Sequence, residues 1–310
     1  MLRGRFLERA AAVAIVLTLS CAGSSLAASG AAVGADPIPT TTCPDAPVFP
    51  ATLPPAPATG PRSQGPDKGS LLIIGGGTNP PEIRTAAIQL AGGPSAKWVN
   101  IPTAGTDQEI AAALKGQAMF IRGLKVTFLN AKDREEADSA AFVAPLKTAN
   151  AVAFDGGRQW RLVDVYAGTL TEREIRAVLD RGGLVAGSSA GATIQGSFLV
   201  RGSPKNNLIL DSPDHETGFS YISNVAIDQH VVVRHRECDL ATLIAKHPGL
   251  LGIGIDQSTA VIVKKNLMTV IGPGSVLITD GAEHGNLPFY VLKATDRFDL
   301  ATWTKLPSGN

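Results

Sequence analysis

From Leu71 onward the chain repeats one pattern: a short unbroken apolar run, a turn rich in glycine or proline, then a longer segment with apolar residues at helical spacing. Apolar runs without polar interruption predict strands buried on both faces. Leu71 to Ile74, Trp98 to Ile101, Lys125 to Leu129, Ala151 to Phe154 and Leu184 to Ala186 are the five predicted strands. The first helix, about Glu82 to Leu90, starts behind Pro80-Pro81, where proline suits a helix beginning. Thr106-Asp107-Gln108-Glu109 reads as a capping box opening a helix through about Arg122. Asp133 to Lys147 predicts a further helix, and Thr171-Glu172-Arg173-Glu174 a second capping box before Ile175, Val178 and Leu179. Strands alternating with helices imply an α/β fold with a doubly wound, mostly parallel sheet. After about Ser197 short β-type runs take over: Ala260 to Val263, Leu267 to Ile271, Ser275 to Ile278 and Phe289 to Leu292. They predict an antiparallel C-terminal extension, with a hairpin around Pro273-Gly274.

The stretch before Gly69 lacks this pattern. Basic Met1 to Arg9, apolar Ala10 to Ser20 and small Ser25-Leu26-Ala27-Ala28 together predict a secretory signal peptide over residues 1–28. A lipoprotein anchor at Cys21 ranks second, because Thr18 stands where leucine is wanted. Residues 29–68, dense in Pro, Ala and Thr, bury too little apolar surface to order themselves and read as a linker or a surface-hugging arm. Residues 69–306 then form one α/β domain of ordinary size. The predicted location is secreted or periplasmic. With Cys21 removed, Cys43 and Cys238 are left either as a disulfide tying arm to domain or as two free thiols. Formal net charge is +1, from 28 basic and 27 acidic residues, which implies no nucleic-acid or membrane-surface partner. No later apolar run is long enough for a transmembrane segment, the five histidines are scattered, and no metal or cofactor is expected.

Candidate chemistry concentrates at strand ends. In a doubly wound sheet the site lies at the carboxyl ends of the strands. Glycine turns stand at three of those ends: Gly75 to Gly77, Gly156-Gly157, and Gly187-Ser188-Ser189-Ala190-Gly191. The third is G-x-S-x-G between a strand and a segment that can be helical, the nucleophile-elbow pattern. It makes Ser189 the candidate nucleophile and the Ala190 N–H an oxyanion donor at a helix start. The first lacks a P-loop lysine and reads as a tight backbone turn. A serine nucleophile needs a base. His230, the polar tip of Val225 to Gln229, is preferred over His235, which is flanked by Arg234 and Arg236. Those two arginines, two apart on a strand-like segment, are expected to share one side and to fork onto a carboxylate. Gln159 is placed to hydrogen-bond substrate.

Gly156-Gly157-Arg158-Gln159-Trp160-Arg161-Leu162, the serine elbow, Asp228-Gln229-His230 with Arg234 and Arg236, and Leu250 to Asp256 fall in the order seen in the S51 peptidases. The chain resembles that family, and its cyanophycinases in particular, over about Leu71 to Val263. The resemblance implies a flavodoxin-like or class I glutamine-amidotransferase-like sheet, with Ser189 as nucleophile and His230 as base. It implies oxyanion donors near Gly157 and Ala190, and substrate contacts at Gln159, Asp228, Gln229, Arg234 and Arg236. The implied activity is hydrolysis of cyanophycin, an arginyl-polyaspartate, to β-aspartyl-arginine dipeptides. The alternatives are an S51-type peptidase on short aspartyl peptides and a silent binding protein of the same fold. The expected partner is a peptide or polymer substrate; a homodimer is left open. Two positions depart from the cyanophycinase pattern: Gln257 stands where a glutamate is usual, and Asp239 where a third arginine is expected. Gln257 is thus the candidate third catalytic member, with activity weakened by its lack of charge.

Since only Ser189 occupies the middle of the elbow, Ser189→Ala should abolish labelling by a fluorophosphonate while Ser188→Ala keeps it. Equal loss in both variants would contradict the assignment.

Overall fold

The computed structural model describes residues 39–117, 121 and 123–307. The predicted signal peptide, Cys21 and the start of the linker lie outside the described residues, as does the end of the helix expected to reach Arg122. Among the described residues thirteen strands form two sheets. The larger has nine strands and is parallel through β1 (Ser70–Ile74), β2 (Trp98–Ile101), β3 (Val126–Phe128), β4 (Ala151–Phe154) and β5 (Leu184–Ser188). Their spatial order is β1-β5-β4-β2-β3. The helices between them are α1 (Pro81–Leu90), α2 (Asp107–Ala112), α3 (Arg134–Ala137), α4 (Gln159–Tyr166) and α5 (Leu170–Asp180). A short helix, α6 (Ala190–Thr193), follows β5. Then come β6 (Val225–Gln229), α7 (Asp239–Lys246), β7 (Leu251–Ile255), β8 (Ala260–Lys264), β9 (Leu267–Ile271), β10 (Val276–Thr279), β11 (Tyr290–Leu292), β12 (Arg297–Asp299) and β13 (Thr304–Leu306). Strands β8, β9, β12 and β13 extend the large sheet antiparallel beyond β1. The second sheet runs β11-β10-β7-β6.

The unbroken apolar runs become two-sided strands for a visible reason. Along β1, Leu71 and Ile73 join one hydrophobic cluster while Leu72 and Ile74 join the cluster on the opposite face. Val152 and Phe154 of β4 face one way, Ala151 and Ala153 the other. Each fully buried Leu or Ile contributes about 1.5–3 kcal/mol, so the four of β1 anchor the sheet.

Local readings fail where a stronger constraint acts. The helix expected over Asp133 to Lys147 is only Arg134–Ala137, with a separate 3₁₀ turn at Ala144–Thr148. It has already ended at Asp138, and Pro145, lacking an N–H, could not have carried it on to Lys147. Thr106 and Glu109 do form the reciprocal capping box. Thr171 does not cap: α5 starts at Leu170, and the Thr171 hydroxyl donates to the Ala137 carbonyl at 2.6 Å. Nor do β9 and β10 form a hairpin. Gly272, at φ +94°, and the following Pro273-Gly274 carry the chain from the large sheet to the small one, where β10 pairs with β7 and β11.

Residues 39–69 contain no strand or helix and lie along the domain. Ser63, fully buried, donates to the Asn224 carbonyl at 3.2 Å and accepts from Trp303 Nε1 at 2.9 Å. Cys43 and Cys238 form a disulfide across 195 residues of sequence. A closure of that length restricts the unfolded chain strongly, so reduction, or Cys43→Ala, should lower the unfolding free energy by about 2–4 kcal/mol. Urea unfolding with and without reductant checks this; overlapping curves would show that the bridge adds nothing.

Candidate active site

The elbow is built as small residues require. A side chain at Gly187 would place its Cβ 2.0 Å from the Gly191 carbonyl oxygen, and one at Gly191 would lie 2.4 Å from the Phe154 carbonyl on β4. Ser188 closes β5 and is buried, paired in register with Ile74. Ser189 stands at φ 56°, ψ −113°, a strained backbone for any residue with a side chain, and its N–H donates to the Ile74 carbonyl at 3.0 Å. Ala190 starts α6, so its N–H belongs to the first turn, which has no acceptor within the helix.

The partners arrive from the other sheet. Strands β6 and β7 are parallel, with Gln229 opposite Ile255, so the residues just past both strands emerge side by side. These are His230 and Gln257. His230 Nε2 lies 3.0 Å from Ser189 Oγ, and Gln257 Nε2 lies 2.8 Å from His230 Nδ1. His230 is itself left-handed, at φ 55°, and its N–H donates to the Gly75 carbonyl at 3.0 Å. The Gly75 to Gly77 turn is the floor of this arrangement. A Cβ at Gly76 would lie 2.2 Å from the imidazole, and one at Gly77 2.8 Å from the Gln257 amide oxygen. The glycines expected only to turn the backbone thus also make room for the ring. Gly156 faces the serine from the turn after β4, where a Cβ would lie 3.4 Å from Ser189 Cβ. Gly157, at φ +135°, packs its Cα against the Ala104 carbonyl.

Burial pushes the His230 imidazole down to about 4, with Arg234 and Arg236 adding to the effect and Asp228 opposing it. The ring is therefore neutral through the neutral pH range. The acids near it are occupied elsewhere. Asp256 Oδ1 accepts from the Val232 and Val233 N–H groups, both at 3.1 Å, and so fixes the turn that carries His230. Asp228 is fully buried and takes Arg201 as a fork, Nε at 2.9 Å and Nη2 at 2.8 Å. Arg201 also donates to Asp239 at 2.5 Å. Arg201 was not foreseen; the only sign of it is one charge closing the apolar run Phe198-Leu199-Val200.

Several residues assigned to substrate have internal partners. Gln159 is buried and donates to the carbonyls of Val200 and Arg201 at 2.6 and 3.0 Å, fixing the loop that aims Arg201. Gln229 is buried beside Asp228. Arg234 and Arg236 do not share a side, because the segment after His230 is a tight turn rather than a strand. Arg234 is exposed; Arg236 is buried, donates to the Gln229 carbonyl and lies 3.8 Å from Asp228. Among the described residues no cluster of His, Cys, Asp or Glu could hold a metal ion, and no helix is long and apolar enough to cross a membrane.

A strained serine on a strand–turn–helix, facing a neutral imidazole, defines a serine hydrolase of α/β architecture. The comparisons agree: the model of peptidase family S51 matches residues 71–271. A cyanophycinase from a Nostoc species is 32% identical over 268 residues, covering 78% of this chain and 89% of its own. A cyanophycinase from Geminocystis herdmanii is 30% identical over 262 residues, covering 76% and 95%. The crystal structure of a peptidase from an acI-B1 Actinobacterium superposes with a TM-score of 0.58 at 27% identity, over 76% of this chain and 98% of that one. The chain belongs to peptidase family S51. It is a serine peptidase.

Removing one partner of a buried ion pair leaves the other charge stranded. Arg201→Ala should therefore cost about 3–5 kcal/mol of stability, whereas Arg234→Ala, at an exposed position, should change it little. Urea unfolding of the two variants checks this; a small loss in Arg201→Ala would show the pair to be incidental.

Proposed function

We propose that this peptidase hydrolyses cyanophycin to β-aspartyl-arginine dipeptides outside the cytoplasm, with Ser189 as nucleophile, His230 as base and Gln257 as the residue that orients the base. The observation that carries the chemistry is the Ser189–His230–Gln257 chain of contacts at 3.0 and 2.8 Å. His230 Nε2 takes the Ser189 proton as Oγ attacks the scissile carbonyl, and returns it to the leaving amine. The N–H groups of Gly157 and Ala190 receive the oxyanion. For Nε2 to be free, the ring proton must sit on Nδ1, which requires the Gln257 carbonyl to face it. The amide nitrogen facing Nδ1 instead donates to it and puts the proton on Nε2. A half-turn of the Gln257 amide therefore switches the base on. Gln257 fixes the tautomer without supplying negative charge, which weakens the stabilisation of the imidazolium.

Similarity to cyanophycinases over most of the chain supports the substrate. The signal-like N-terminus and the Cys43–Cys238 disulfide support an oxidising location. One observation favours the second reading, a peptidase for short aspartyl peptides: Asp228 is satisfied by Arg201 and Asp239 binds the same arginine, which leaves neither free for the arginine of a polymer. Exposed Arg234 suits a substrate carboxylate instead.

Digestion of cyanophycin followed by mass analysis tests the substrate: β-aspartyl-arginine supports the proposal, and cleavage of aspartyl dipeptides alone supports the second reading. Gln257→Glu tests the mechanism. A carboxylate at Nδ1 should raise kcat by about tenfold or more and move the acid limb of the rate profile upward from about pH 4. The direction follows because the base must be neutral to act. An unchanged kcat and limb would place Gln257 outside the mechanism.

A further inference from the structure

Asn100 and Asp155 sit under the Gly156-Gly157 turn. Asn100, fully buried on β2, lies opposite Ala153 of β4, two residues before Asp155. Asn100 Nδ2 donates to Asp155 Oδ2 at 2.9 Å, and the Asp155 N–H donates to the Ile101 carbonyl at 3.2 Å. Each side chain has one oxygen left over, Asn100 Oδ1 and Asp155 Oδ1, and both are buried without a hydrogen-bond partner. An ionised carboxylate can only accept, so as a carboxylate Asp155 leaves both oxygens unsatisfied. A proton on Asp155 Oδ1 changes this: the acid donates to the amide oxygen while the amide donates back.

We infer that Asp155 and Asn100 share one proton in a closed acid–amide pair, and that this pair positions the Gly156-Gly157 turn against Ser189. Asp155 is thus a positioning residue. The surroundings favour the acid form. Burial pushes Asp155 up to about 6, the carboxylate of Glu109 on α2 adds to this, and the Asn100 hydrogen bond opposes it. The cations nearby are turned elsewhere: Arg158 donates to the Ser203 carbonyl, and Arg161 to the Gly105 and Ala104 carbonyls. Gly156 is the next residue along, and a Cβ there would lie 3.4 Å from Ser189 Cβ, so a turn that relaxes when the proton leaves moves directly against the nucleophile.

The sign follows from the raised value. A carboxyl held above its unfolded value of 3.8 contributes stability at low pH, and loses it as pH rises through about 6. The test compares the wild-type protein with Asp155→Asn, whose amide closes the same pair without a titrating proton, and with Asp155→Ala, which cannot. Two readouts are followed between about pH 5 and about pH 8: thermal unfolding, and the rate at which a fluorophosphonate labels Ser189. Because His230, held down at about 4, makes stability rise with pH in every form, the readout is the difference from Asp155→Asn. Relative to that variant, wild-type stability and labelling should both fall across this range, labelling by about tenfold. In Asp155→Asn labelling should stay level, at the wild-type low-pH rate; in Asp155→Ala labelling should be slow throughout. The labelling arm rests on Ser189 as nucleophile, whereas the unfolding arm does not. A stability difference between wild type and Asp155→Asn that is level or rises across the range overturns the shared proton. A fall in that difference with level labelling overturns the positioning role, and so does an Asp155→Asn variant that keeps the wild-type labelling profile. No labelling of any form refutes the serine assignment, and with it the positioning role.

Discussion

The site depends on one close approach, the His230 ring lying against the bare backbone of Gly76. The ring comes from the small sheet and the glycine from the end of the central strand of the large one. A single added carbon at Gly76 would lie 2.2 Å from the imidazole. With that space kept empty, the ends of β1, β5, β6 and β7 close on one another, and the Ser189–His230 contact spans the two sheets. Both residues are held at positive φ. Such backbones persist only when their surroundings over-determine them. Here the constraints are visible: Ser189 N–H on Ile74, His230 N–H on Gly75, and Asp256 on the turn that follows.

The electrostatics follow from the same packing. A base in contact with a serine is usually accompanied by a carboxylate, yet every acid around His230 has other work. Asp256 binds backbone N–H groups, Asp228 is matched to Arg201, and Asp239 binds the same arginine. What remains at Nδ1 is a neutral amide. Burial first, and then the two arginines nearby, bring the ring down to about 4, with no directly bonded anion to oppose them. Such a base is available over a wide pH range but is a weak proton acceptor.

Much of this was legible in the sequence because it rests on short local patterns. Unbroken apolar runs such as Leu71 to Ile74 and Ala151 to Phe154 can be satisfied only by strands buried on both faces. The elbow needs small residues at fixed spacing. The residues that misled are those whose partners are distant in the chain. Thr171 looks like a cap but bonds Ala137, and the hairpin expected at Pro273-Gly274 is pre-empted by pairing with β7 and β11. Arg234 and Arg236 were read at strand spacing, but a turn held by Asp256 separates them. Arg201 escaped notice because its two acid partners stand 27 and 38 residues away.

The account makes one central claim: burial keeps His230 neutral, and the Gln257 amide, once turned so that its carbonyl meets Nδ1, holds the ring proton there and leaves Nε2 ready to accept from Ser189. Nitrogen NMR of the His230 ring in the intact protein reads both properties directly. The account predicts a neutral imidazole protonated at Nδ1 from alkaline pH down to about 4. A ring that titrates at or above the ordinary histidine value of about 6.5, or that stays protonated at Nε2 throughout, would contradict it.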